Sequence, residues 1–237
     1  MKLIDVKNLS LGYDKKAVFR GLNFSVSKGD FICVVGANGA GKTTLIKSIV
    51  GIHEFDEGDI LINGKSIKTD LIACKKEMAF VPDNPELYEQ MKAIDFINFI
   101  CDMYEVPQNI RETNIKKYSK LFEIEENLND TIDSFSHGMK QKVAIISALA
   151  HNPKILIMDE PFVGLDPKAV FDVKEIMNEM IKEGKTIFFS THILDVAEKL
   201  CSRVAIIKKG ELLKVDSMEK IKGDTSLEKV FLDMEGE

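Results

Sequence analysis

A glycine-rich segment that ends in lysine and threonine is the part of this sequence best suited to phosphate chemistry. Residues 36–43 read G-A-N-G-A-G-K-T, the pattern G-x-x-x-x-G-K-T, and they follow an apolar run at residues 31–35. Glycines let the backbone adopt positive φ and wrap closely around phosphate oxygens. Free N–H groups at the start of the next helix bind the same oxygens. The segment therefore predicts a P-loop that binds a nucleoside triphosphate.

Each position of this segment has a predicted role. Lys42 adds a positive charge at the β- and γ-phosphates and is a candidate catalytic residue, and the Thr43 hydroxyl is suited to ligate Mg²⁺. A strand–turn–helix corner that needs glycine only for its geometry is the weaker alternative, because the full motif is matched between an apolar strand and a helical segment. The predicted nucleotide-binding positions are Gly36, Asn38, Gly39, Ala40, Gly41, Lys42, Thr43 and Thr44.

Two adjacent carboxylates follow a second apolar run. Asp159 and Glu160 come directly after residues 155–158, a pattern typical of a central parallel strand. Ligands bind at the carboxyl ends of such strands. We expect Asp159 to join the Mg²⁺ shell, usually through water, and Glu160 to orient or deprotonate an attacking water. A solvated acidic pair is the alternative, and the matched P-loop makes it the weaker one.

The elements that must position these groups alternate between strand and helix. The Asn63 and Gly64 pair predicts a hairpin turn, and Gly184 is a predicted helix C-cap. Helical spacing runs from about residue 87 to residue 150, interrupted at Pro107 and over residues 123–133. Strands are predicted at residues 3–6, 17–19, 22–26, 31–35, 60–62, 155–158, 186–190 and 203–207.

This pattern predicts an α/β fold with one nucleotide-binding domain. We expect a P-loop core with a mostly parallel sheet over residues 1–83 and 151–237, and an N-terminal antiparallel β-subdomain within it. A helical subdomain is predicted to be inserted at about residues 84–150.

Composition excludes several classes of function. The 237 residues carry a formal net charge of -6, which disfavours a nucleic-acid surface. Four widely spaced cysteines without C-x-x-C spacing predict buried thiols in a reducing compartment, not a zinc or disulfide framework. The N-terminus has no signal-peptide pattern, and no apolar run approaches the roughly 20 residues that cross a bilayer. We expect a cytoplasmic protein whose membrane association comes through a partner.

Further motifs follow one another in a recognisable order. Residues 135–142 precede the Asp159 and Glu160 pair by about one helix, residues 164–167 follow it, and residues 190–192 end a later strand. From residue 1 to about residue 216 the chain resembles the ATP-binding cassette (ABC) transporter ATPases. In that family these segments match the signature motif, the D-loop and the switch histidine. Tyr13 matches the aromatic residue that stacks on adenine.

The resemblance implies ATP and Mg²⁺ as cofactors and a head-to-tail dimer, homodimeric or heterodimeric, with two ATP molecules at its interface. Ser136 and Gly138 of one subunit would contact the nucleotide held by the other, with Asp166 close by. His192 would contact the γ-phosphate and hold Glu160 and the water in line. Without the family, Ser136 is an ordinary helix N-cap and His192 an ordinary structural hydrogen-bonder.

Two positions depart from the family pattern. The common signature Leu-Ser-Gly-Gly-Gln is replaced by F-S-H-G-M at residues 135–139, which keeps Ser136 and Gly138 but puts His137 in place of a glycine. Protonation of His137 beside a triphosphate would tighten the closed dimer, or the side chain faces solvent. Asp83 stands where the family usually has glutamine, and it can share in Mg²⁺ coordination.

These departures resemble the bacterial ABC-2-type exporter branch. The implied function is an ATPase subunit that powers export through a separate transmembrane permease, on the inner face of the cell membrane. An importer ATPase, or a degenerate regulatory subunit with little hydrolysis, remains the alternative. A permease helix would dock near Phe80, Leu87, Tyr88 and Met91, unless these residues form the core of the helical subdomain itself.

Overall fold

The computed structural model describes residues 1–13 and 16–236 of the chain. Its strands are β1 (Lys2–Tyr13), β2 (Lys16–Ser27), β3 (Phe31–Val35), β4 (Glu57–Ile62), β5 (Lys65–Ser66), β6 (Met78–Val81), β7 (Ile155–Asp159), β8 (Thr186–Thr191), β9 (Arg203–Lys208) and β10 (Glu211–Ser217). Its α-helices are α1 (Lys42–Ile49), α2 (Leu71–Lys75), α3 (Ala93–Met103), α4 (Gln108–Leu121), α5 (His137–Ala150), α6 (Pro167–Lys182), α7 (Leu194–Leu200), α8 (Met218–Lys222) and α9 (Leu227–Gly236).

A mainly parallel sheet carries the predicted site motifs. Its order across the described strands is β10-β9-β3-β8-β7-β6, and every neighbouring pair is parallel except β9 with β10. The carboxyl ends of β3, β8, β7 and β6 therefore meet at one edge. The P-loop follows β3 at that edge, and Asp159, His192 and Asp83 lie at or just beyond the ends of β7, β8 and β6.

Alternate residues of β3 are buried in two separate cores, because side chains alternate across a strand. Ile32 and Val34 pack in a core with α1 and the N-terminal strands. Cys33 and Val35 pack in a second core with the helices α3 to α6. Burial on both faces explains why the apolar residues of β3, β7 and β8 form continuous runs, at residues 31–35, 155–158 and 187–189, instead of an alternating pattern.

A second sheet, antiparallel and of order β2-β1-β4-β5, covers α1 and the first core. The short strands predicted at residues 3–6, 17–19 and 22–26 were wrong in extent, since β1 and β2 each run for 12 residues. Register shifts interrupt their pairing, one of them between Val6 and Leu9, where Asn8 has φ 49°. Such bulges let a strand continue through polar residues that look like a turn in the sequence.

The hairpin turn predicted at Asn63 and Gly64 is confirmed. Both residues have positive φ, 49° and 82°, between the paired strands β4 and β5. Positive φ at both central positions is the geometry of a type I′ turn, which Asn-Gly favours.

The helical region at residues 93–150 contains the predicted interruptions. Pro107 is the N-cap of α4, and short 3₁₀ turns occupy Glu125–Asn127 and Ile132–Ser134 before α5 begins. Buried residues such as Ile97 and Phe122 join the same core as one face of the central sheet. These α/β layers, with an antiparallel N-terminal sheet and helices between β6 and β7, agree with the fold class predicted from the sequence.

The four cysteines are buried free thiols, as their spacing predicts: Cys33, Cys74, Cys101 and Cys201. Within the described ranges, no helix combines the length and the apolar character that crossing a membrane requires.

Gly210 provides a test of close packing between the two sheets. It has φ 81°, its N–H donates to the Ala40 carbonyl at 3.0 Å, and a Cβ there would lie 1.6 Å from the Val18 carbonyl oxygen. Gly184 has a similar φ of 76° but open space around it. Both alanine variants bear the cost of left-handed backbone, roughly 1–2 kcal/mol. We expect Gly210→Ala to lose about 1–3 kcal/mol more in urea denaturation, because it also overpacks the contact. Equal losses would contradict this assignment.

Candidate functional site

Lys42 is buried at the start of α1, in contact with both the P-loop and β7. Its Nζ donates to the carbonyl oxygens of Gly36 (2.8 Å) and Ala37 (3.2 Å) and lies 3.9 Å from Glu160 Oε1. Burial lowers the pKa of Lys42, and the nearby charges of Glu160 and Asp159 act in the opposite direction. The ammonium group is thus held against the loop backbone, with a carboxylate facing it.

Two glycines of the P-loop are required for different reasons. A Cβ at Gly36 would lie 2.4 Å from the Ile207 carbonyl oxygen, so close packing against β9 excludes a side chain. Gly41, the N-cap of α1, has φ 108°, and a Cβ there would also meet the Phe19 ring at 2.7 Å. The first and last glycines of the loop are therefore closely packed, whereas Gly39 has open space around it.

Asp159 is a carboxylate with no solvent exposure at the end of β7. The Ser190 hydroxyl donates to Oδ1 across a short hydrogen bond, whereas buried Oδ2 has no hydrogen-bond partner among the residues described. Burial raises the pKa of Asp159, and the hydroxyls of Ser190 and Thr43 oppose that shift. An unpaired oxygen on a buried carboxylate costs free energy unless a cation or a donor reaches it.

Glu160 is held between the lysine and the histidine predicted from the sequence. Its Oε2 lies 2.9 Å from His192 Nδ1 and accepts the His192 backbone N–H at 3.4 Å. Its own N–H donates to Ser190 Oγ at 3.1 Å. Glu160 has φ 46°, an uncommon left-handed conformation for a residue other than glycine. The structure therefore brings Lys42, Asp159, Glu160 and His192 together.

Ser136, Gly138 and Asp166 lie apart from this group. Ser136 caps α5 and accepts the Met139 N–H at 3.3 Å, while Asp166 caps α6 and pairs with Lys142 at 2.9 Å. In the described parts of the chain, no hydrogen bond or ion pair joins these three residues to the P-loop.

Asp83 is exposed beyond β6, and its Oδ1 accepts the Asn84 N–H at 2.8 Å. Its negative charge is one of the weaker causes that raise the pKa of Asp159. The described residues contain no group of three or more His, Cys, Asp or Glu side chains arranged to hold a metal. Tyr13 ends β1, and its side chain lies outside the described part of the structure.

Sequence reasoning missed Ser190, which bonds both Asp159 and Glu160. The parallel register that sets Asp159 opposite Ser190 is the signal that identifies it, and this register is known only from the fold. It also missed Gln141, which is fully buried and donates to the Pro82 carbonyl at 3.4 Å, joining α5 to the segment that carries Asp83.

Comparisons with known proteins agree with this geometry. The family described as ABC transporter matches residues 19–163. The ABC-type transporter ATP-binding protein EcsA of Bacillus subtilis is 33% identical over 98% of this chain and 94% of its own length. The linearmycin resistance ATP-binding protein LnrL of the same organism is 32% identical over 95% of this chain and 74% of its own length. A solved structure of an ATP-binding subunit of an ABC transporter superimposes with a TM-score of 0.95 at 33% identity, covering 98% of this chain and 99% of that one.

The P-loop beside the buried Asp159 and the partly exposed Glu160 defines a nucleotide-hydrolysing α/β domain. The chain belongs to the ABC transporter family, as an ATP-binding subunit with ATPase activity.

The buried charge of Asp159 predicts an opposition between activity and stability. Its pKa in the folded protein is raised above the unfolded value, so ionised Asp159 opposes folding at neutral pH. We expect Asp159→Asn to raise the stability of the nucleotide-free protein by about 1 kcal/mol, or about 2–4 °C in Tm, while ATPase activity is lost. The gain should shrink as pH falls towards the unfolded value of about 3.9, where wild-type Asp159 is also protonated. Thermal melts at several pH values measure this, and a lower Tm at neutral pH would contradict it.

Proposed function

We propose that this chain is the Mg²⁺-dependent, ATP-hydrolysing subunit of an exporter, and that Glu160 is its catalytic base. The observation that carries the catalytic assignment is the position of the Glu160 carboxylate, 3.9 Å from Lys42 Nζ and 2.9 Å from His192 Nδ1. A carboxylate in this position faces the end of the P-loop, where the γ-phosphate of a bound nucleotide would lie.

The residues at this edge fit a divalent cation bound with the nucleotide. The unpaired Oδ2 of Asp159 and the Thr43 hydroxyl are oxygen ligands of the kind Mg²⁺ prefers, with Asp83 as a further candidate. When bound, Mg²⁺ neutralises charge on the phosphate oxygens. A buried Asp159 that is costly alone is stabilised by such a cation.

Hydrolysis in this proposal begins when Lys42 exchanges its two carbonyl acceptors for phosphate oxygens. Glu160 then accepts a proton from the attacking water as the water oxygen bonds to the γ-phosphorus and the bond to the β,γ-bridging oxygen breaks. ADP is the leaving group, and the protonated Glu160 returns its proton to solvent or phosphate when the products leave. His192 Nδ1 lies 2.9 Å from Glu160 Oε2 and holds that carboxylate in orientation. In this proposal His192 also contacts the γ-phosphate. The backbone N–H groups of the P-loop stabilise the charge on the phosphate oxygens.

The proposal includes a head-to-tail dimer, homodimeric or heterodimeric. Ser136, Gly138 and Asp166 have no hydrogen bond or ion pair with the P-loop of their own chain within the described residues. The N-terminus of α5 presents free N–H groups and a positive dipole end, which suit the γ-phosphate held by a second subunit. Tyr13 is the proposed adenine-stacking residue.

A transmembrane permease is the proposed partner, on the cytoplasmic face of the membrane. Tyr88 is 60% exposed and packs edge-on against Phe99, beside a cavity of ≈ 220 Å³ lined by Phe80 and Leu87. His151 lines the same cavity, and burial lowers its pKa to about 4, so its ring is uncharged at neutral pH. The lining is otherwise mostly apolar, with Glu86 as its acidic residue. An apolar groove with an exposed aromatic rim suits a partner helix, although Leu87 also packs against the subunit's own core.

Export is proposed because the signature and the acidic residue at position 83 resemble exporter sequences, and because the relative LnrL is named for resistance to linearmycin. Import is the alternative, since a methionine import protein of Clostridioides difficile is 30% identical over 92% of this chain. A degenerate subunit with little hydrolysis is disfavoured by the intact set of Lys42, Asp159, Glu160 and His192.

Replacing Glu160 by Gln should separate hydrolysis from nucleotide binding. We expect turnover to fall by about 10²- to 10⁴-fold, because the amide cannot take the proton. The trapped Mg-ATP state should be a dimer in light scattering, while Mg-ADP leaves a monomer. Lys42→Ala is the matched control and should lose nucleotide binding and dimerisation together. Turnover within about threefold of wild type in Glu160→Gln would refute the base assignment.

The direction of transport is tested in inside-out membrane vesicles that contain this chain and its permease. Export predicts ATP-dependent accumulation of a labelled amphiphilic cargo inside the vesicles, since the face that bears this chain is then outside. Glu160→Gln vesicles are the control and should not accumulate the label. ATP-dependent release of a preloaded label would support import instead.

A further inference from the structure

The ring of His137 lies against the backbone of a loop that carries Glu160. Gly164 has φ 78°, and a Cβ at this position would lie 2.4 Å from His137 Cδ2 and 2.8 Å from Nε2. A Cβ at Gly138 would likewise lie 2.8 Å from the Gly164 carbonyl oxygen. His137 therefore fills the space beside one glycine, while the other allows the backbones to approach.

This contact falls at the middle of residues 160–166, here called the 160–166 loop. The loop begins at Glu160, whose N–H donates to Ser190 Oγ at 3.1 Å. It ends at Asp166, which caps α6 and pairs with Lys142 of α5 at 2.9 Å. Phe162 anchors the first part in the core, with its ring against Phe189. The central part of the loop is held from the α5 side by His137 and Gly138.

We infer that His137 is a positioning residue, which transmits the placement of the first turn of α5 to Glu160 through the 160–166 loop. The inference rests on the proposed roles of Ser136 at a second subunit's nucleotide and of Glu160 as the base. Because His137 adjoins Ser136, movement of that turn when a nucleotide binds bears directly on Gly164. Hydrogen bonds hold both ends of the loop. A displacement of Gly164 therefore changes the backbone orientation of Glu160 relative to β7.

The shape of the ring, not its charge, carries this role. The atom nearest to the virtual Cβ of Gly164 is a ring carbon, Cδ2, and the charged groups beside the loop, Lys142 and Asp166, already pair with each other. A flat side chain without a titratable group should therefore replace His137.

The expected effect is on turnover and not on nucleotide binding. His137→Gly opens a gap over Gly164, and a catalytic group that is misplaced by a fraction of an ångström loses roughly tenfold in kcat. The KM for ATP should change by less than about threefold, because Ser136 and Gly138, the proposed phosphate contacts of this segment, are unchanged. His137→Phe retains a flat ring and should keep kcat within about threefold of wild type.

A double-mutant cycle with Gly164→Ala tests the contact itself. When His137 is present, the alanine methyl group at position 164 would collide with its ring. The three atoms nearest to that methyl group all belong to the ring, so His137→Gly removes the collision. Backbone strain at φ 78° is common to both backgrounds and cancels in the cycle. If the contact is functional, the double variant is no slower than the slower single variant. If the two effects on kcat multiply, or if His137→Gly stays within about twofold of wild type, the inference is overturned.

Dimerisation distinguishes a positioning role for His137 from a role in nucleotide binding. In the Glu160→Gln background, His137→Gly should still form the Mg-ATP dimer, since Ser136 and Gly138 are unchanged. Loss of that dimer would place His137 in nucleotide binding and overturn the positioning role. Thermal melts of every variant identify any that fails to fold, and His137→Phe keeps the test decisive in that case. Unimpaired turnover in the Glu160→Gln single variant would instead refute the proposed base. That result is distinct from a double-mutant cycle in which the effects of His137→Gly and Gly164→Ala on kcat multiply.

Discussion

Charge buried at one edge of a parallel sheet is the constraint on which the rest of this structure depends. Asp159 has no solvent exposure, and Lys42 has a side chain that is 7% exposed, so neither is solvated as it would be in the unfolded chain. The fold compensates in part, through the Ser190 hydroxyl, the P-loop carbonyls and the proximity of Glu160. The remaining cost falls mainly on Asp159 Oδ2, which is buried without a hydrogen-bond partner among the described residues, and the metal ion proposed above would offset it.

Features that are encoded locally could be predicted from the sequence. The P-loop glycines, the Asn63 and Gly64 turn and the apolar runs of the central strands each depend on a few adjacent residues and on backbone conformation. The grouping of Lys42, Asp159 and Glu160 was also predictable, because parallel strands bring their carboxyl ends to the same edge. For these elements, short-range pattern and general topology together are sufficient.

Features that depend on register or on close approach could not be predicted in this way. The extent of β1 and β2 was underestimated because bulges allow pairing to continue through polar positions. A short-range sequence pattern does not indicate which residues of the partner strand lie opposite. Ser190 is opposite Asp159 only because β7 and β8 align in one register. The contact of His137 with Gly164 joins segments that are distant in sequence, so its chemistry is visible only after the chain has folded.

The left-handed backbone of Glu160 has an evolutionary consequence. At φ 46°, and with its carbonyl bonded to the Val163 N–H, this position disfavours most side chains by about 1 kcal/mol and favours glycine or asparagine. Selection for stability alone would therefore replace the glutamate. If Glu160 is the base proposed above, loss of its carboxylate costs turnover, so only a lineage released from the need to hydrolyse ATP should drift at this residue early. Glycine or asparagine at position 160 of a related chain would then mark a subunit that has given up turnover while keeping its fold.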